Sequence, residues 1–457
     1  MSSDMPSSDD LFALLRDAQA RLDAGFAELP PAPAAALGDR AADILQQVAE
    51  RMHDNYPYGH PLYAGQMLKP PHPIARAAYA LAMSINPNNH ALDGGRASSA
   101  MELEAVAELA RMVGFPEYLG HLSSGGTFAN LEALWVSGQI HPGRGIAASD
   151  QAHYTHSRIS GVLGLPFTSI ASDNTGAMDP DALEEALKTG SIGTVVVTLG
   201  TTAVGAVDPL PAILELQKKY DFRIHADAAY GGYFTLANNL GSEARAAFDC
   251  IPEVDSIVVD PHKHGLQPYG CGAVIFRDPA VGRFYKHGSP YTYFSSKELH
   301  LGEISLECSR AGASAVDLWA TQRLLPYTRN GEFARSLSIG REAALEFYRR
   351  IAGDDRLIAP VGAPQLDIVF YAVRSSEGAP EASSRLAQRV FDAAAKHHLH
   401  LALATLPVRF FPPDAFSGHA DAQVTCLRSV MMKPEHLAWM EQIWQRLTAA
   451  LTDAVEM

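Results

Sequence analysis

A lysine stands between two histidines in the stretch VVDPHKHGLQPYG, residues 258–270, directly after an apolar run typical of a strand. A buried lysine without a partner is costly, because its ammonium group loses hydration. A lysine amine that is partly deprotonated can instead form a Schiff base with a carbonyl compound. Lys263 is therefore the first candidate for a chemical role, and its partners must come from elsewhere in the chain.

Three further stretches carry groups that could act with this lysine. In IHADAAYGG, Asp227 ends an apolar strand, where a carboxylate can hold a proton on a heteroaromatic nitrogen or simply cap a helix. In SDQAHYTHSRISG, His153 could stack on a flat ring or serve as a surface or capping residue. In HLSSGGTFANLEAL, Gly125 and Gly126 precede a helix whose free N–H groups could bind phosphate, although a plain turn explains them as well.

Each of these features is ambiguous alone, but together they describe one kind of ligand. They combine a phosphate cradle, a ring-stacking histidine, a carboxylate for a pyridinium nitrogen and a lysine for an aldehyde. Pyridoxal 5′-phosphate requires the lysine imine and the acidic partner of its ring nitrogen. The sequence therefore predicts a site for this cofactor.

The elements that must position these residues follow from the pattern between about residues 120 and 280. Short apolar runs alternate with helices there; the strand-like runs are GIAAS, LPFTSI, TVVVTLG, FRIHAD, DSIVVD and GAVIF. This alternation predicts an α/β fold with a mostly parallel sheet covered on both faces. Ligands bind such sheets outside the carboxyl ends of the strands, where the four stretches fall.

The rest of the chain predicts two smaller parts. The proline-rich stretch 55–73 has too many prolines for regular structure and reads as an ordered arm. After about residue 320 the pattern indicates a small α/β domain with a final helix from Pro434. We expect an N-terminal arm with helices over 1–75, a large cofactor-binding domain over 76–325 and a small C-terminal domain over 326–457.

Composition excludes several classes of function. The chain has 457 residues and a formal net charge of −15, which argues against nucleic-acid binding, since that requires clustered lysine and arginine. Its four cysteines lie far apart, which predicts neither a disulfide framework nor a zinc site, so we expect no metal. The acidic start MSSDMPSSDD is unlike a secretory leader, and no apolar run has the length of a membrane span. We expect a cytoplasmic protein that binds no membrane.

At this point the sequence resembles the group II pyridoxal-phosphate-dependent amino-acid decarboxylases, a family of fold type I. The resemblance rests on SSGGTFANLEAL, DQAHYTHSRISGVLGL, TLGTTAVGAVDPL, HADAAYGGYF and DPHKHGLQPYGCGAVIFRD, and more weakly on LECSRAGASAVDLW, QVTCLRSVMM and the arm HPLYAGQMLKP. It implies a large domain with a mostly parallel seven-stranded sheet, a small C-terminal α/β domain and an N-terminal arm. It also implies a homodimer with the site at the interface.

The resemblance implies roles for individual residues. Lys263 would form the Schiff base with the cofactor, Asp227 would pair with the pyridine nitrogen, and His153 would stack over the ring and take part in proton transfer. The remaining implied cofactor contacts are Ser124, Gly125, Gly126 and Thr127 around the phosphate, Thr202 near the polar edge of the ring, Ala229 on its other face, and His262 helping to hold the phosphate.

Two further roles concern the substrate. Arg428, in TCLRSV, matches the arginine that receives the substrate α-carboxylate in the family; the alternative is a solvated strand arginine. Tyr291 and Tyr293, in FYKHGSPYTYFSSKELH, are candidates for the acid that reprotonates Cα, and interface packing explains each of them equally well. This aromatic, glycine- and proline-containing segment could close on the substrate.

The predicted activity is decarboxylation of an L-amino acid to CO2 and a primary amine. The substrate would be aromatic or would resemble aspartate or glutamate, and the sequence does not separate these. The alternatives are another carbon–carbon lyase or an aldehyde-forming relative on the same fold. An aminotransferase is disfavoured by the HADAAYGG and DPHKHG contexts, and a paralogue without turnover is disfavoured by the intact Lys263, Asp227 and His153.

Overall fold

The computed structural model describes residues 8–30, 38–90, 94–286, 304–419 and 422–456, which form two β-sheets and the helices packed around them. The helices are α1 (Ser8–Ala24), α2 (Ala41–Met52), α3 (Pro73–Met83), α4 (Arg96–Val113), α5 (Gly126–Ile140), α6 (Thr155–Leu163), α7 (Pro180–Leu187), α8 (Leu210–Gln217), α9 (Ser242–Asp249), α10 (Ala313–Leu324), α11 (Glu332–Ala352), α12 (Pro380–Lys396), α13 (Glu435–Ala438) and α14 (Met440–Glu456). The strands are β1 (Leu119–Ser123), β2 (Gly145–Ser149), β3 (Phe167–Ile170), β4 (Ile192–Thr198), β5 (Arg223–Asp227), β6 (Ser256–Val259), β7 (Gly272–Phe276), β8 (Leu357–Ile358), β9 (Ile368–Val373), β10 (Ala402–Pro407) and β11 (Gln423–Val430).

The larger sheet has seven strands in the order β1-β7-β6-β5-β4-β2-β3. Strand β7 runs antiparallel to both of its neighbours, and the other pairings are parallel. Strand β4, with the sequence IGTVVVT, is buried along its whole length, because helices cover both faces of the sheet. The predicted α/β fold with a mostly parallel seven-stranded sheet is thus confirmed.

The smaller sheet has four strands in the order β10-β11-β9-β8, and its described pairings are antiparallel. Helices α11 and α12 pack on it, and α14 packs on these two helices. Their apolar residues form a second core with the strands, in which Phe347, Tyr371, Ile443 and Leu447 are fully buried. Such a core follows from the helical spacing of apolar residues in α14.

The proline-rich arm has no regular secondary structure, as predicted, yet part of it is buried. Tyr63 and Ala64 are buried, and the Ala64 N–H donates to the carbonyl of His400 at 2.9 Å. The Val430 N–H, at the end of β11, donates to the carbonyl of Ala64 at 2.8 Å. The arm is therefore fixed to the smaller sheet by backbone hydrogen bonds.

Helix α2 lies on the surface of the described chain, because none of its residues is buried. Its apolar residues Ile44, Leu45, Val48 and Met52 are 48–67% exposed. They recur at the spacing that puts side chains on one face of a helix. Helix α2 therefore presents an apolar face that the described residues of one chain leave exposed. Among the described residues, no helix combines the length and apolar character that crossing a bilayer requires.

Candidate active site

A cavity of about 420 Å³ opens at the carboxyl ends of β4, β5 and β6. All ten residues predicted to bind the cofactor line it: Ser124, Gly125, Gly126, Thr127, His153, Thr202, Asp227, Ala229, His262 and Lys263. Residues that the sequence did not single out also line it, among them Asn130, Thr155, Thr198, Tyr230 and Asp260. Stretches that lie far apart in the sequence are thus brought together at one end of the sheet.

The glycine pair forms a close backbone turn at the start of α5. Gly125 has a φ of +149°, which only glycine adopts readily, and a Cβ on Gly126 would lie 2.7 Å from the Asp260 carboxylate. The Ser124 N–H donates to the Glu307 carboxylate at 3.0 Å. One backbone N–H of this turn thus already binds a carboxylate, as expected of a helix N-terminus that can bind anions.

Lys263 reaches the cavity from a tight loop after β6. Its Nζ lies 3.0 Å from Oδ2 of Asp260, which is almost fully buried, and the lysine side chain is 23% exposed. The Lys263 N–H donates to the Asp260 carbonyl at 3.0 Å, and Leu266 adopts a positive φ of +65°. A non-glycine residue holds such a conformation only where its surroundings enforce it, so the lysine loop is rigidly built.

Asp227 is held by a histidine that the sequence reasoning missed. The Nε2 atom of buried His156 lies 2.7 Å from Asp227 Oδ2, and the Ala229 N–H donates to Oδ1 at 3.2 Å. Burial alone would raise the pKa of Asp227, but the hydrogen bond and charge of His156, with the charge of Lys263, outweigh it and hold that pKa well below its usual range. The carboxylate is therefore ionised and oriented, as a partner for a protonated ring nitrogen must be.

A second buried histidine supports the same strand. His225 Nδ1 lies 2.8 Å from the Ser256 hydroxyl, and its Nε2 lies 2.7 Å from Oδ1 of Asn130, a cavity residue. Burial lowers the pKa of His225 to about 3, so the ring is neutral at pH 7. It fixes Asn130 without adding a charge beneath the site.

Two histidines on the cavity wall are neutral near pH 7, because burial lowers the pKa of each. His153 Nδ1 lies 2.8 Å from the Thr155 hydroxyl, which fixes the ring at the cavity. His262 Nδ1 lies 2.7 Å from the Cys271 carbonyl, and its ring packs on Tyr269 with centroids 4.7 Å apart. Both rings are oriented by a hydrogen bond, which suits flat contact with a ligand.

Arg428 is not on the surface of the cavity; it lies buried beside it. Its guanidinium donates to the carbonyls of Thr202 at 2.6 Å, Ala203 at 3.0 Å and Gly65 at 3.3 Å. Thr202 lines the cavity and Arg428 does not, so the guanidinium is separated from the cavity by Thr202. The alternative of a solvated strand arginine is therefore wrong, since the residue is only 4% exposed.

Tyr291 and Tyr293 lie outside the described residues, but the flanking residues on both sides are anchored at one point. Buried Glu132, on α5, accepts hydrogen bonds from the Tyr285 hydroxyl at 3.0 Å and from the Leu306 N–H at 3.0 Å. The Ser305 hydroxyl also donates to it at 3.2 Å, and His121 Nε2 lies 2.8 Å away.

Pyridoxal 5′-phosphate fits the residues present. The cavity has the size of a small-molecule site, with an anion cradle at one end and a lysine and an ionised carboxylate on its walls. Two buried polar atoms at its wall, the Thr198 hydroxyl and Asp260 Oδ1, have no hydrogen-bond partner among the described residues. Such atoms are expected where a polar ligand completes a site.

Comparisons with known proteins agree with this chemistry. The model of the pyridoxal-dependent decarboxylase conserved domain matches residues 28–358. A probable L-tyrosine/L-aspartate decarboxylase of Methanocella arvoryzae is 29% identical over 62% of this chain and 73% of its own, and an L-aspartate decarboxylase of Thermococcus kodakarensis is 27% identical over 81% and 93%. The crystal structure of mouse CSAD superposes with a TM-score of 0.78 at 21% identity, covering 95% of this chain and 91% of that one. This likeness establishes the shared fold.

Proposed function

Because the chain belongs to the pyridoxal-dependent decarboxylase family, we propose that it removes the α-carboxylate of an L-amino acid and releases CO2 and a primary amine. The observation that carries the proposal is the single cavity shared by Lys263, ionised Asp227 and the Gly125–Gly126 cradle. The cofactor of this carboxy-lyase is pyridoxal 5′-phosphate, which when bound supplies an electron sink for the pair left on Cα as CO2 departs.

Each group of the chain has a distinct task in this proposal. Lys263 would supply the amine that holds the cofactor. Asp227 keeps a proton on the ring nitrogen, because His156 holds it ionised and oriented. His153 and Ala229 line the cavity and would hold the ring from its two faces, and the turn before α5 would bind the phosphate through backbone N–H groups.

The substrate carboxylate is assigned to Arg428. Its three hydrogen bonds within the described chain go to carbonyl oxygens, which are neutral, so the buried guanidinium is poised for an anion. When substrate binds, Arg428 would donate to the substrate carboxylate in place of the Thr202 carbonyl. Holding the carboxylate on one side of the cavity selects which Cα bond stands perpendicular to the ring, and so favours loss of CO2 over loss of a proton.

We further propose an aromatic or aspartate-like substrate. Several relatives are decarboxylases of L-tyrosine or L-aspartate, and one is a decarboxylase of L-2,4-diaminobutyrate. The arm carries a cluster of aromatic side chains, in which Tyr56, Tyr58 and Tyr63 pack on one another with centroids 5.0–6.4 Å apart. The Gly65 carbonyl that Arg428 contacts belongs to the same arm.

The working unit in this proposal is a homodimer that functions in the cytoplasm. The exposed apolar face of α2 supports the dimer, because a second copy of the chain would bury it. The four cysteines support a reducing compartment, because all are free thiols. In this dimer Tyr291 or Tyr293 would reprotonate Cα, within the same subunit or across the interface.

The test is to incubate the purified protein, loaded with pyridoxal phosphate, with each of the common L-amino acids and to measure CO2 and amine. Lys263→Ala is expected to be inactive. Lys188→Ala is the matched control, because Lys188 is an exposed lysine at the end of α7 and does not line the cavity. We expect amine from one class of amino acid, lost only in Lys263→Ala. Bound cofactor without CO2 from any amino acid would overturn the decarboxylase proposal, and aldehyde in place of amine would identify the aldehyde-forming alternative.

A further inference from the structure

His264, the residue directly after the lysine, takes no part in the site described so far. Its side chain is 1% exposed, although histidine is polar. The ring packs edge-on against Tyr230 and Phe234, with centroids 4.7 Å and 5.0 Å away. Neither ring nitrogen has hydrogen-bond geometry with a described residue, so burying this polar ring is costly unless a charged group lies close to it.

A carboxylate does lie close: that of Asp367, directly before β9 in the smaller sheet, at ion-pair distance but without hydrogen-bond geometry. His264 Nε2 is 3.2 Å from Asp367 Oδ2, and the Tyr230 hydroxyl donates to Oδ1 at 2.5 Å. Asp367 has a relative exposure of 0%. Its carboxylate is thus shared between two residues that come from different loops of the larger sheet.

The charges around Asp367 explain how it remains ionised. Burial disfavours the carboxylate, but the close approach of His264, the hydrogen bond from Tyr230 and the charge of Lys69 outweigh burial and lower the pKa of Asp367. Burial also lowers the pKa of His264. Arg428 also senses this carboxylate, whose charge helps to keep the buried guanidinium protonated. Removing one partner from such a buried set leaves the others uncompensated, which is costly.

The position of Asp367 matters because of what its two partners adjoin. Tyr230 lines the cavity and stands three residues after Asp227, in the loop after β5. His264 adjoins Lys263 in the loop after β6. Asp367 itself precedes β9, which pairs with β11, and Arg428 on β11 is opposite Phe370 on β9. One carboxylate therefore links the loops of the lysine and of the ring-nitrogen partner to the sheet that carries the substrate arginine.

We propose that Asp367 is a positioning residue of this site: through His264 it fixes the loop that carries Lys263, and through Tyr230 it fixes the opposite cavity wall, so that the smaller sheet sets the lysine geometry. This inference rests on the proposed function, since it assigns a role relative to the bound cofactor. In this inference Asp367 and His264 position the residues that line the cavity and do not themselves contact the substrate.

The experiment compares Asp367→Asn, His264→Gln and Tyr230→Phe with two matched controls. Asp317→Asn changes another buried aspartate, on α10, and Tyr371→Phe changes another buried tyrosine, on β9. Two measurements use the cofactor-free protein: the free energy of unfolding in urea and hydrogen exchange of the peptide 258–268. Two use the loaded protein: the dissociation constant of pyridoxal phosphate and the pH midpoint of the absorbance change of the bound cofactor.

The three variants at Asp367, His264 and Tyr230 are expected to share one signature. Exchange in peptide 258–268 should quicken about tenfold or more, because the loop loses its anchor. The cofactor should bind about tenfold more weakly. In Asp367→Asn the pH midpoint should move down by about half a unit or more, because a negative charge that faces His264, Tyr230, Lys69 and Arg428 is gone. The double variant Asp367→Asn/His264→Gln should lose little more than either single one.

Stability alone does not decide the matter, because a buried polar cluster with a purely structural role would also lower the free energy of unfolding. If the variants lose stability while peptide exchange, cofactor affinity and pH midpoint match those of the controls, the inference is overturned. If Asp367→Asn does not fold, Tyr230→Phe removes a single hydrogen bond and still decides the question. A wild-type protein that binds no pyridoxal phosphate would overturn the proposed function instead.

Discussion

At the scale of single residues, the structure adds groups behind those that face the cofactor site. His156 holds Asp227, Asp260 holds Lys263, and Glu307 occupies a donor of the phosphate cradle. None of the three was predicted. Asp260 stands in the quoted stretch VVDPHK at the end of a strand, so its type and place offered a signal. His156 and Glu307 offered none, because only the fold brings them to partners far away in the chain.

The pair of His156 and Asp227 predicts a specific response to acid. The folded-state pKa of Asp227 lies below its usual value, so its contribution to stability is present above about pH 4 and is lost as the pH falls further. Unfolding of the cofactor-free protein in urea, followed between pH 6 and pH 3, should show a smaller loss of stability for Asp227→Asn than for wild type. Equal losses would contradict the assignment.

The same pair predicts an effect on the cofactor. His156→Phe keeps an aromatic ring but removes a charge-assisted hydrogen bond of about 1.5–3 kcal/mol, so the dissociation constant of pyridoxal phosphate should rise about ten- to a hundredfold. Titration of absorbance measures it. His436→Phe, which changes a buried histidine that contacts the arm, is the control and should leave cofactor affinity near that of wild type.

Glu307 predicts a change in the opposite direction. Its carboxylate accepts from the Ser124 N–H where the phosphate is proposed to bind, so the two anions compete. Glu307→Gln should tighten cofactor binding by about threefold to tenfold, which corresponds to roughly 1 kcal/mol. Glu381→Gln, an exposed glutamate in the first turn of α12, is the control. Weaker binding in Glu307→Gln would show that the carboxylate supports the cradle instead.

At the scale of elements, the alternation of short apolar strands with helices predicted most of the larger sheet. Its strands β2, β4, β5, β6 and β7 are buried along most of their length, so hydrophobicity alone marks them. Strand β1 was not predicted. Its sequence LGHLS includes glycine and histidine, and it is a strand because its backbone pairs with β7, about 150 residues later.

Replacement by alanine should have opposite effects at two helical glycines, Gly126 at the start of α5 and Gly161 on α6. A Cβ at Gly126 would lie 2.7 Å from the Asp260 carboxylate, so Gly126→Ala should disrupt the cradle and abolish measurable cofactor binding. Gly161 on α6 has open space around it, so Gly161→Ala should stabilise the protein by about 0.5–1 kcal/mol. Thermal unfolding and cofactor titration of both variants check this. Normal cofactor binding by Gly126→Ala would show that the backbone there yields.

At the scale of the whole molecule, the spacing of apolar residues in α2 makes this helix amphipathic but does not say what covers its apolar face. Ile44, Leu45, Val48 and Met52 share one face of α2, and that face is exposed in a single chain. The spacing of apolar residues identifies the apolar face of a helix, but the surface that packs on this face can belong to a second molecule, which the spacing does not identify. The proposed domain boundaries stay a prediction; the one at residue 325 falls between α10 and α11.

If the exposed apolar face of α2 forms the interface of the proposed homodimer, acidic substitutions on this face should weaken the dimer. In the double variant Leu45→Glu/Val48→Glu two carboxylates would be buried in the proposed dimer interface, which should raise the dimer dissociation constant at least about a hundredfold. Sedimentation equilibrium over a range of concentrations measures this. Gln46→Glu, on the same helix, is the control and should remain dimeric. A wild-type protein that sediments as a monomer at all concentrations would overturn the dimer.

The junction at Glu132 has a consequence for how such a chain can diversify. The chain before residue 287 and after residue 303 meets at this one carboxylate, through Tyr285 on one side and Ser305 and Leu306 on the other. With both ends fixed to the same side chain of α5, a change in the length or sequence of 287–303 should leave α5 and the turn at its start in place, while it would alter the part of the chain that carries Tyr291 and Tyr293.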